Sequence, residues 1–246
     1  MTSQSRIEWT EQTWNPTTGC TKISPGCKHC YAEVMARRLQ AMGAGGYDAG
    51  FEFTLHPGRL GQPLARMKPT VYFVNSMSDL FHEDIPDKFL NEVFGVIRAT
   101  PQHTYQILTK RAERLPRYFA RRKCPDNVWL GVSVEDRAYG LPRIDQLRQV
   151  NARIRFLSVE PLLEDLGDID LGNIHWVIVG GESGPKARPM QPGWVDNIRQ
   201  QCDEAGVAFF FKQWGGWGAD GKKRSKKENG RLLHGKTWDE MPQLAV

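Results

Sequence analysis

The sequence contains no run of about 18 apolar residues, the length that a helix needs to cross the hydrocarbon core of a bilayer. Its first residues also lack the apolar stretch of a secretory signal peptide. These two absences exclude a membrane-spanning helix from the expected fold and argue against secretion. The sequence therefore predicts a cytoplasmic protein with no membrane partner.

Cysteine is scarce, with five in 246 residues, and the number is odd. Thiols stay reduced in the cytosol, so a disulfide framework is excluded. Three of the five nevertheless fall within eleven residues, at Cys20, Cys27 and Cys30, with the spacing C-x6-C-x2-C. Cys124 and Cys202 are isolated. Such a cluster in a cytosolic chain indicates metal or redox chemistry.

The three clustered thiols are compatible with more than one centre. A structural zinc ion normally takes four protein ligands, often as two close pairs, whereas this loop supplies three. His29 lies between Cys27 and Cys30 and is too constrained to complete the same tetrahedron easily. A cubane iron–sulfur cluster can be held at three corners, which leaves one iron open to a substrate or cofactor. An iron–sulfur cluster, a zinc ion and inert thiols remain the alternatives at this point.

Basic residues are in excess, with a net charge of +5 and a pI near 9.0. They concentrate in "LTKRAERLPRYFARRK" (108–123) and "KKRSKKENGR" (222–231). Either segment alone could be the polar face of a helix or a solvated stretch. Together they predict an anionic partner, and nucleic acid is the partner expected.

Short apolar segments alternate with amphipathic segments that have helical periodicity. Continuous apolar strands separated by helices predict a parallel sheet that is buried on both faces. About seven such units favour an α/β fold, a whole or partial (βα) TIM-type barrel in one domain. We expect the barrel over residues 1–217, with the cluster loop at 20–30, and a basic C-terminal extension over 218–246. The expected strands lie near "IEWTEQTW" and at 70–76, 104–109, 127–134, 153–159, 175–181 and 208–214.

Polar or glycine-rich motifs follow the predicted strands. In a parallel barrel, the loops after the strands build the active site. Any one motif could simply cap a helix or form a turn. Six of them on one rim, together with the cysteine loop, predict a common pocket. The motifs are "NSMSD", "LTKR", "GVSVED", "SVEP", "GGESG" and "KQWGG".

The cysteine loop, which ends "CKHCYAE" after a first barrel strand, resembles the radical S-adenosylmethionine (SAM) superfamily. That superfamily usually has C-x3-C-x2-C with an aromatic residue before the last cysteine, whereas here the first gap is six residues and His29 takes the aromatic place. From about Ile7 to Trp217, the chain is similar to the phage-associated three-Cys-motif protein family. The closest functional analogy of that family is to spore photoproduct lyase, a radical SAM enzyme that repairs a thymine dimer in DNA. The similar motifs include "TWNPTTGC", "HPGRL", "NSMSDLFHEDIP", "GVSVED", "FLSVEPLL", "WVIVGGESGP" and "FFFKQWG".

The resemblance implies a role for each matching position. Cys20, Cys27 and Cys30 would ligate a 4Fe–4S cluster, whose open iron takes the amino and carboxylate groups of SAM. The other implied SAM contacts are Ser76, Ser78 and Asp79 for the amino group, Lys110 for the carboxylate, and Ser133, Glu135 and Glu160 for the ribose or methionine.

The implied reaction is reductive cleavage of SAM to a 5′-deoxyadenosyl radical that abstracts hydrogen from a substrate, with electrons from an external donor. The implied substrate is a nucleic acid or nucleotide, in DNA repair or modification. Glu182 and Lys212 are the expected catalytic residues, and the neighbouring residues expected to face the substrate are Ser183, Gln213, Trp214 and Trp217, whose two indoles could stack a base. The alternative is a 4Fe–4S protein that binds nucleic acid or transfers electrons without radical SAM chemistry. The sequence makes no prediction of oligomeric state.

Overall fold

The computed structural model describes residues 3–4 and 7–243, which form ten strands and six α-helices. The strands are β1 (Ser3–Gln4), β2 (Gln12–Trp14), β3 (Thr17–Thr18), β4 (Thr54–Leu55), β5 (Val71–Val74), β6 (Thr104–Thr109), β7 (Val128–Ser133), β8 (Ile154–Val159), β9 (Trp176–Gly180) and β10 (Ala208–Gln213). The helices are α1 (Tyr31–Ala41), α2 (Asp87–Ala99), α3 (Arg114–Phe119), α4 (Leu141–Arg148), α5 (Pro192–Ala205) and α6 (Lys226–Asn229).

The main sheet has the strand order β1-β2-β5-β6-β7-β8-β9-β10. β1 pairs antiparallel with β2, and the seven strands from β2 to β10 in this sheet are parallel. β3 and β4 form a separate antiparallel pair. Every residue of β7 and of β9 is buried, as expected of strands that are covered on both faces. The predicted fold class, an α/β fold with a partial (βα) TIM-type barrel, is confirmed.

The helices follow from the sequence pattern. α2 buries Phe89, Leu90, Val93, Phe94 and Ile97, the apolar residues at helical spacing. α5 has a proline in its first turn and ends at a glycine with a left-handed backbone, φ +64°. Proline suits the first turn because its missing N–H has no intrahelical partner there, and glycine adopts positive φ without a steric cost.

The chain divides into two compact units. Unit 1 contains the described residues up to Ile23, together with Cys30–Gly131 and Gln149–Arg153. Its core is rich in aromatic side chains, and the rings of Tyr72 and Tyr105 stack with their centroids 5.5 Å apart. Burial of such rings is the main source of stability in a core of this kind.

Unit 2 contains Ser24–His29, Val132–Arg148 and the described residues from Ile154 onward. Its C-terminal segment packs within the unit: the Phe211 N–H donates to the Trp238 carbonyl at 2.9 Å, and Trp176 Nε1 donates to the Glu240 carbonyl at 2.8 Å. The expected boundary between the barrel and the C-terminal extension, at residues 217 and 218, stays a prediction. The last residues of that extension, 244–246, lie outside the described residues. None of the helices in the described part of the chain has the length and apolarity required to cross a membrane.

Candidate functional site

The backbone that leads into Cys20 is tightly held in unit 1. Gly19 has φ +76°, and a Cβ there would lie 2.0 Å from the Glu52 carbonyl oxygen, so only glycine fits. The Gly19 N–H donates to the Met77 carbonyl at 3.0 Å, and Ser78 Oγ donates to the Gly19 carbonyl at 2.7 Å. The segment after β5 therefore holds the backbone directly before Cys20 in place.

The Cys20 sulfur lies against the guanidinium of Arg111. Nη1 of this arginine donates to Cys20 Sγ and to Asp79 Oδ2, both at 3.3 Å, and Nε donates to Glu83 Oε2 at 2.5 Å. Nη2 donates to the carbonyl and the hydroxyl of Thr21 at 3.1 and 2.7 Å. Burial alone would raise the pKa of Glu83, but the hydrogen bonds from Arg111 and Thr21 lower it to about 2. Arg111 itself is only 3% exposed, so Cys20 borders a buried and permanently charged cation.

Asp79 is fully engaged by this network. Its Oδ1 accepts from the Phe81 N–H at 2.9 Å and from Thr109 Oγ1 at 2.7 Å. Its Oδ2 accepts from the Lys110 backbone N–H at 2.9 Å as well as from Arg111. The carboxylate thus fastens the end of β6 to the segment after β5, and a carboxylate with four donors has little acceptor capacity left.

Of the polar residues after β5, Ser76 and Ser78 are both partly exposed. Ser78 Oγ accepts from Thr17 Oγ1 at 3.0 Å in addition to its bond to the cysteine loop, whereas Ser76 Oγ donates to Asn15 Oδ1 at 3.2 Å. Of the three residues predicted to contact a SAM amino group, Ser78 and Asp79 therefore hold neighbouring segments together. Among the described residues, the Ser76 hydroxyl makes a single side-chain hydrogen bond, to Asn15.

Cys30 stands at the start of α1, as its N-cap residue. It is partly buried and packs against the small cluster of Ala32, Ala36 and Met77. The N-terminus of an eleven-residue helix carries a partial positive charge. The Cys30 thiol therefore lies beside the positive end of a helix dipole.

Cys27 closes a 3₁₀ turn, Pro25–Cys27, in unit 2. Its sulfur lies 3.6 Å from Ser24 Oγ, which donates to Glu135 Oε1 at 3.0 Å. Glu135 is completely buried, and its other oxygen accepts from Arg143 Nη1 at 2.5 Å. A Cβ on Gly26 would come within 2.4 Å of Glu135 Oε1. Glu135 therefore supports the turn that carries Cys27.

Glu182 is paired with Arg188 in the same unit. The arginine donates from Nε and Nη2 to the two carboxylate oxygens at 2.9 and 2.5 Å, and Nη2 also donates to the Pro25 carbonyl at 3.1 Å. Burial would raise the pKa of Glu182, but the bonds from Arg188 outweigh it and lower the pKa. Glu182 thus acts through Arg188 on the turn that contains Cys27.

Lys212 and Glu160 form an ion pair at the ends of β10 and β8, with Nζ 2.7 Å from Oε2. Gln213 Nε2 donates to Glu160 Oε1 at 3.1 Å and to the Gly181 carbonyl at 2.9 Å. Gln213 Oε1 is buried and has no hydrogen-bond partner among the described residues. The carboxyl ends of β8, β9 and β10 thus bring together residues that are far apart in the sequence.

The two tryptophans expected to stack a base are placed differently. Trp214 is 3% exposed, packs on Phe211 and donates from Nε1 to the Leu232 carbonyl, so its ring belongs to the core. Trp217 is partly exposed and donates to the Ala187 carbonyl at 2.7 Å. Of the two, Trp217 is the more exposed, and Lys223 Nζ lies over its ring at 5.7 Å from the centroid.

An open cavity of about 670 Å³ borders Cys20 within unit 1. This volume falls in the range of sites for small organic ligands. The lining includes an arginine, a glutamine, two acidic residues and two phenylalanines from α1 and neighbouring loops. None of the predicted SAM contacts lines it. The lining residues are Cys20, Thr21, Arg37, Gln40, Ala49, Gly50, Phe51, Glu52, Phe53 and Asp84.

The donor chemistry fits an iron–sulfur cluster. All three motif cysteines are free thiols, one beside a buried guanidinium and one at a helix N-terminus. Within residues 3–4 and 7–243, no three His, Cys, Asp or Glu side chains are grouped so as to hold one metal ion. A cubane places each cysteine on a different iron, so its ligands stand farther apart than those of a single ion. The cluster assignment therefore stays a prediction, supported by the nature of the ligands.

Three arginines of the site were missed by the sequence reasoning: Arg111, Arg143 and Arg188. The motif "LTKR" drew attention to Lys110, yet Lys110 offers its backbone N–H to Asp79, and the next residue carries the guanidinium. Both residues follow the end of β6, and the sequence alone does not tell which of the two side chains meets the carboxylates. The other two arginines lie in segments without a motif.

Two solved structures of spore photoproduct lyase share this fold. The structure complexed with dinucleoside spore photoproduct has a TM-score of 0.51 and 14% identity, over 83% of this chain and 64% of that chain. A mutant with bound AdoMet and dinucleoside spore photoproduct has a TM-score of 0.50 and 14% identity, with the same coverage. This chain therefore spans slightly less than two thirds of the length of those chains. At such identity the likeness concerns the fold alone.

No curated protein sequence matches the chain. One family model, described as protein of unknown function (DUF5131), matches residues 4–242. Because that match covers nearly the whole sequence, the chain belongs to the DUF5131 family.

Proposed function

We propose that this protein is an iron–sulfur enzyme of the radical SAM type that acts on a nucleic acid or a nucleotide, in repair or modification. The observation that carries the proposal is the setting of Cys20, whose sulfur contacts a buried guanidinium and borders an open cavity. The likeness in fold to spore photoproduct lyase supports it.

Cys20, Cys27 and Cys30 are the proposed ligands of a 4Fe–4S cluster. When bound, the cluster supplies the electron for reductive cleavage of SAM, and an external donor restores that electron. The chain supports the ligands through separate contacts: Arg111 donates to the first sulfur, and Glu135 holds the turn that contains the second. Helix α1 begins directly after the third.

For SAM we propose contacts to residues at the strand ends. Lys110 is partly exposed and supplies the cation for the carboxylate, since a desolvated carboxylate needs a charged partner. Ser76 is the proposed partner of the amino group, with Ser78 and Asp79 holding the segment in place. We propose Ser133 and Glu160 for the ribose or methionine part, and assign Glu135 to the cysteine turn.

The ligand space beside Cys20 supports the same function. An organic molecule that reacts at a cluster must come within contact of it, and the cavity provides such room next to a proposed ligand. The cavity also offers the Arg37 guanidinium and two phenylalanine rings, groups that suit the phosphate and base of a nucleotide.

On the substrate side we propose Lys212 and Glu182 as the residues that act on the nucleotide. Glu160 orients the Lys212 ammonium, which can donate to an anionic or carbonyl group of a substrate. Arg188 orients the Glu182 carboxylate and balances its negative charge. The neighbouring structures contain a dinucleoside spore photoproduct, which supports a nucleotide substrate for this chain.

The proposal is tested by purifying the protein without oxygen, measuring iron and sulfide, and titrating the reduced protein with SAM. We expect about four irons and four sulfides per chain, and an EPR signal that changes when SAM is added. Stoichiometric zinc with negligible iron after anaerobic reconstitution would contradict the cluster.

A cluster whose EPR signal ignores SAM would contradict only the radical SAM part. In that case the protein would be a cluster-bearing nucleic-acid binder or electron carrier. Oligonucleotide binding and electron transfer to the reduced cluster would then separate these two activities.

A further inference from the structure

Arg111 uses all of its hydrogen-bonding capacity at one place. A guanidinium has five N–H donors, and the five acceptors here are a glutamate, an aspartate, a cysteine sulfur and the two oxygens of a threonine. The side chain is nearly inaccessible to solvent, so these acceptors replace water entirely. Its position and orientation are therefore determined by several contacts at once.

The sulfur is the unexpected member of this set. A neutral thiol is a weak acceptor, whereas a hydrogen bond from a cation to an anionic sulfur is much stronger. Two carboxylates, Asp79 and Glu83, already balance the arginine, so the charge of the network does not require Cys20. The contact gains most energy when the sulfur is negative, as it is in a metal-bound thiolate.

We propose that Arg111 is a positioning residue for the cluster: it orients Cys20 as a ligand and raises the reduction potential of the iron–sulfur centre. The inference rests on the proposed function, since it needs the cluster to be present. Reduction adds negative charge that is shared by the ligand sulfurs, and a hydrogen bond from a cation stabilises the reduced state more than the oxidised one. Hydrogen bonds to the sulfurs are among the factors that set these potentials.

A purely structural role for Arg111 is the competing explanation, and Arg114 provides a comparison for it. Arg114 lies in the same unit and donates to the carbonyls of His82 and Ile85 and to Asp87 Oδ1, the last at 2.9 Å. Within the described part of the chain, these oxygen acceptors take the place that a cysteine sulfur has beside Arg111. Loss of either arginine should cost stability, but only loss of Arg111 should change the potential.

The test compares Arg111→Lys with Arg114→Lys in full-length protein reconstituted without oxygen. Lysine keeps the charge but cannot span five acceptors, so its contact with Cys20 is lost. We expect both variants to take up the cluster and the midpoint potential, followed by EPR, to become more negative only in Arg111→Lys. Circular dichroism and thermal unfolding establish that each variant is folded.

A third variant, Glu83→Gln, reverses the sign of the expected change. The Glu83 side chain is 57% exposed, so the substitution is compatible with folding. The amide oxygen of the glutamine can still accept from Arg111 Nε. Removing one negative charge beside the guanidinium should shift the potential to a more positive value. If Arg111→Lys does not fold, this variant decides the question.

The outcomes separate the two proposals. A folded, cluster-containing Arg111→Lys protein with the wild-type potential would overturn the inference and leave the iron–sulfur function intact. An unchanged potential in Glu83→Gln, when Arg111→Lys is unfolded, would overturn it as well. Wild-type protein that takes up no iron would overturn the proposed function, and the inference with it.

Discussion

Lys212 Nζ lies 2.7 Å from Glu160 Oε2, so a residue expected to act on the substrate is bound to one expected to contact the cofactor. The two are 52 positions apart and meet because β8, β9 and β10 are adjacent and parallel. Their side chains are 14% and 22% exposed, which leaves the pair partly open to solvent. We therefore treat them as one functional group.

The Lys212–Glu160 pair should show energetic coupling. We expect Lys212→Met and Glu160→Gln each to lower the free energy of unfolding by about 1–2 kcal/mol, because each leaves a half-buried polar group without its partner. The double variant should lose less than the sum, with a coupling of about 1 kcal/mol in urea unfolding. The exposed Lys123–Asp126 pair is the control, for which no measurable coupling is expected. Strict additivity at Lys212 and Glu160 would contradict the ion pair.

The cysteines should divide into two groups. Alanine at Cys20, Cys27 or Cys30 should abolish cluster uptake, measured as iron and sulfide per chain. Cys124→Ala and Cys202→Ala should retain the cluster, since both thiols are buried and burial raises the pKa of Cys202 to about 12. Loss of iron in a folded Cys124→Ala protein would show that a ligand has been misassigned.

Gly26 should not tolerate a side chain. A methyl group there would press on Glu135 Oε1 at 2.4 Å, so Gly26→Ala should displace the support of the Cys27 turn at a cost of about 1–3 kcal/mol. Gly58 occupies the same place in the matching turn Pro57–Arg59, and no atom of the described residues lies within 4 Å of a Cβ there. Gly58→Ala should therefore leave both stability and cluster content unchanged. Equal effects of the two substitutions, measured by urea unfolding and iron content, would argue against the role of Glu135.

Acid should weaken the protein through Glu182. Its pKa is lowered in the folded state, because Arg188 outweighs the effect of burial. The ionised group therefore stabilises the fold above the ordinary glutamate value of 4.5, and this contribution is lost as the pH falls below it. We expect Glu182→Gln and Arg188→Met to reduce the loss of stability from about pH 6 to about pH 3, followed by urea unfolding. A pH profile in both variants as steep as in the wild type would contradict the pairing.

The C-terminal lysines should contribute to nucleic-acid binding without reading sequence. Lys222, Lys223, Lys226 and Lys227 are exposed, and the last two belong to α6. Replacing all four with glutamine should weaken binding of labelled oligonucleotides to a similar extent for every sequence, since phosphate contacts carry no base information. The wild-type affinity should fall steeply with salt because counterions are released. Fluorescence anisotropy at low salt measures this, and absence of binding at micromolar protein would remove nucleic acid from the proposal.

The other basic segment, 108–123, has fewer cations available to bind a nucleic acid than its composition suggested. Arg111 is buried, Arg114 binds backbone carbonyls and a carboxylate, and Arg122 lies over the ring of Tyr118. Charge counted along a sequence predicts an excess of cations but does not tell which of them are already paired. The expected likeness to spore photoproduct lyase is confirmed at the level of the fold. The phage association that the three-Cys-motif family implies stays a prediction.

The sequence by itself determined the parallel α/β fold and the position of the cysteine loop. Both depend on local pattern: short apolar runs such as those of β7 and β9 favour buried strands, and the spacing of Cys20, Cys27 and Cys30 is read directly from the sequence. Only the tertiary structure decided which charged groups meet. Lys110 and Arg111 are equivalent in a sequence motif, but packing against Asp79 buries the second and leaves the first partly exposed, because contacts between distant segments depend on strand register and on burial.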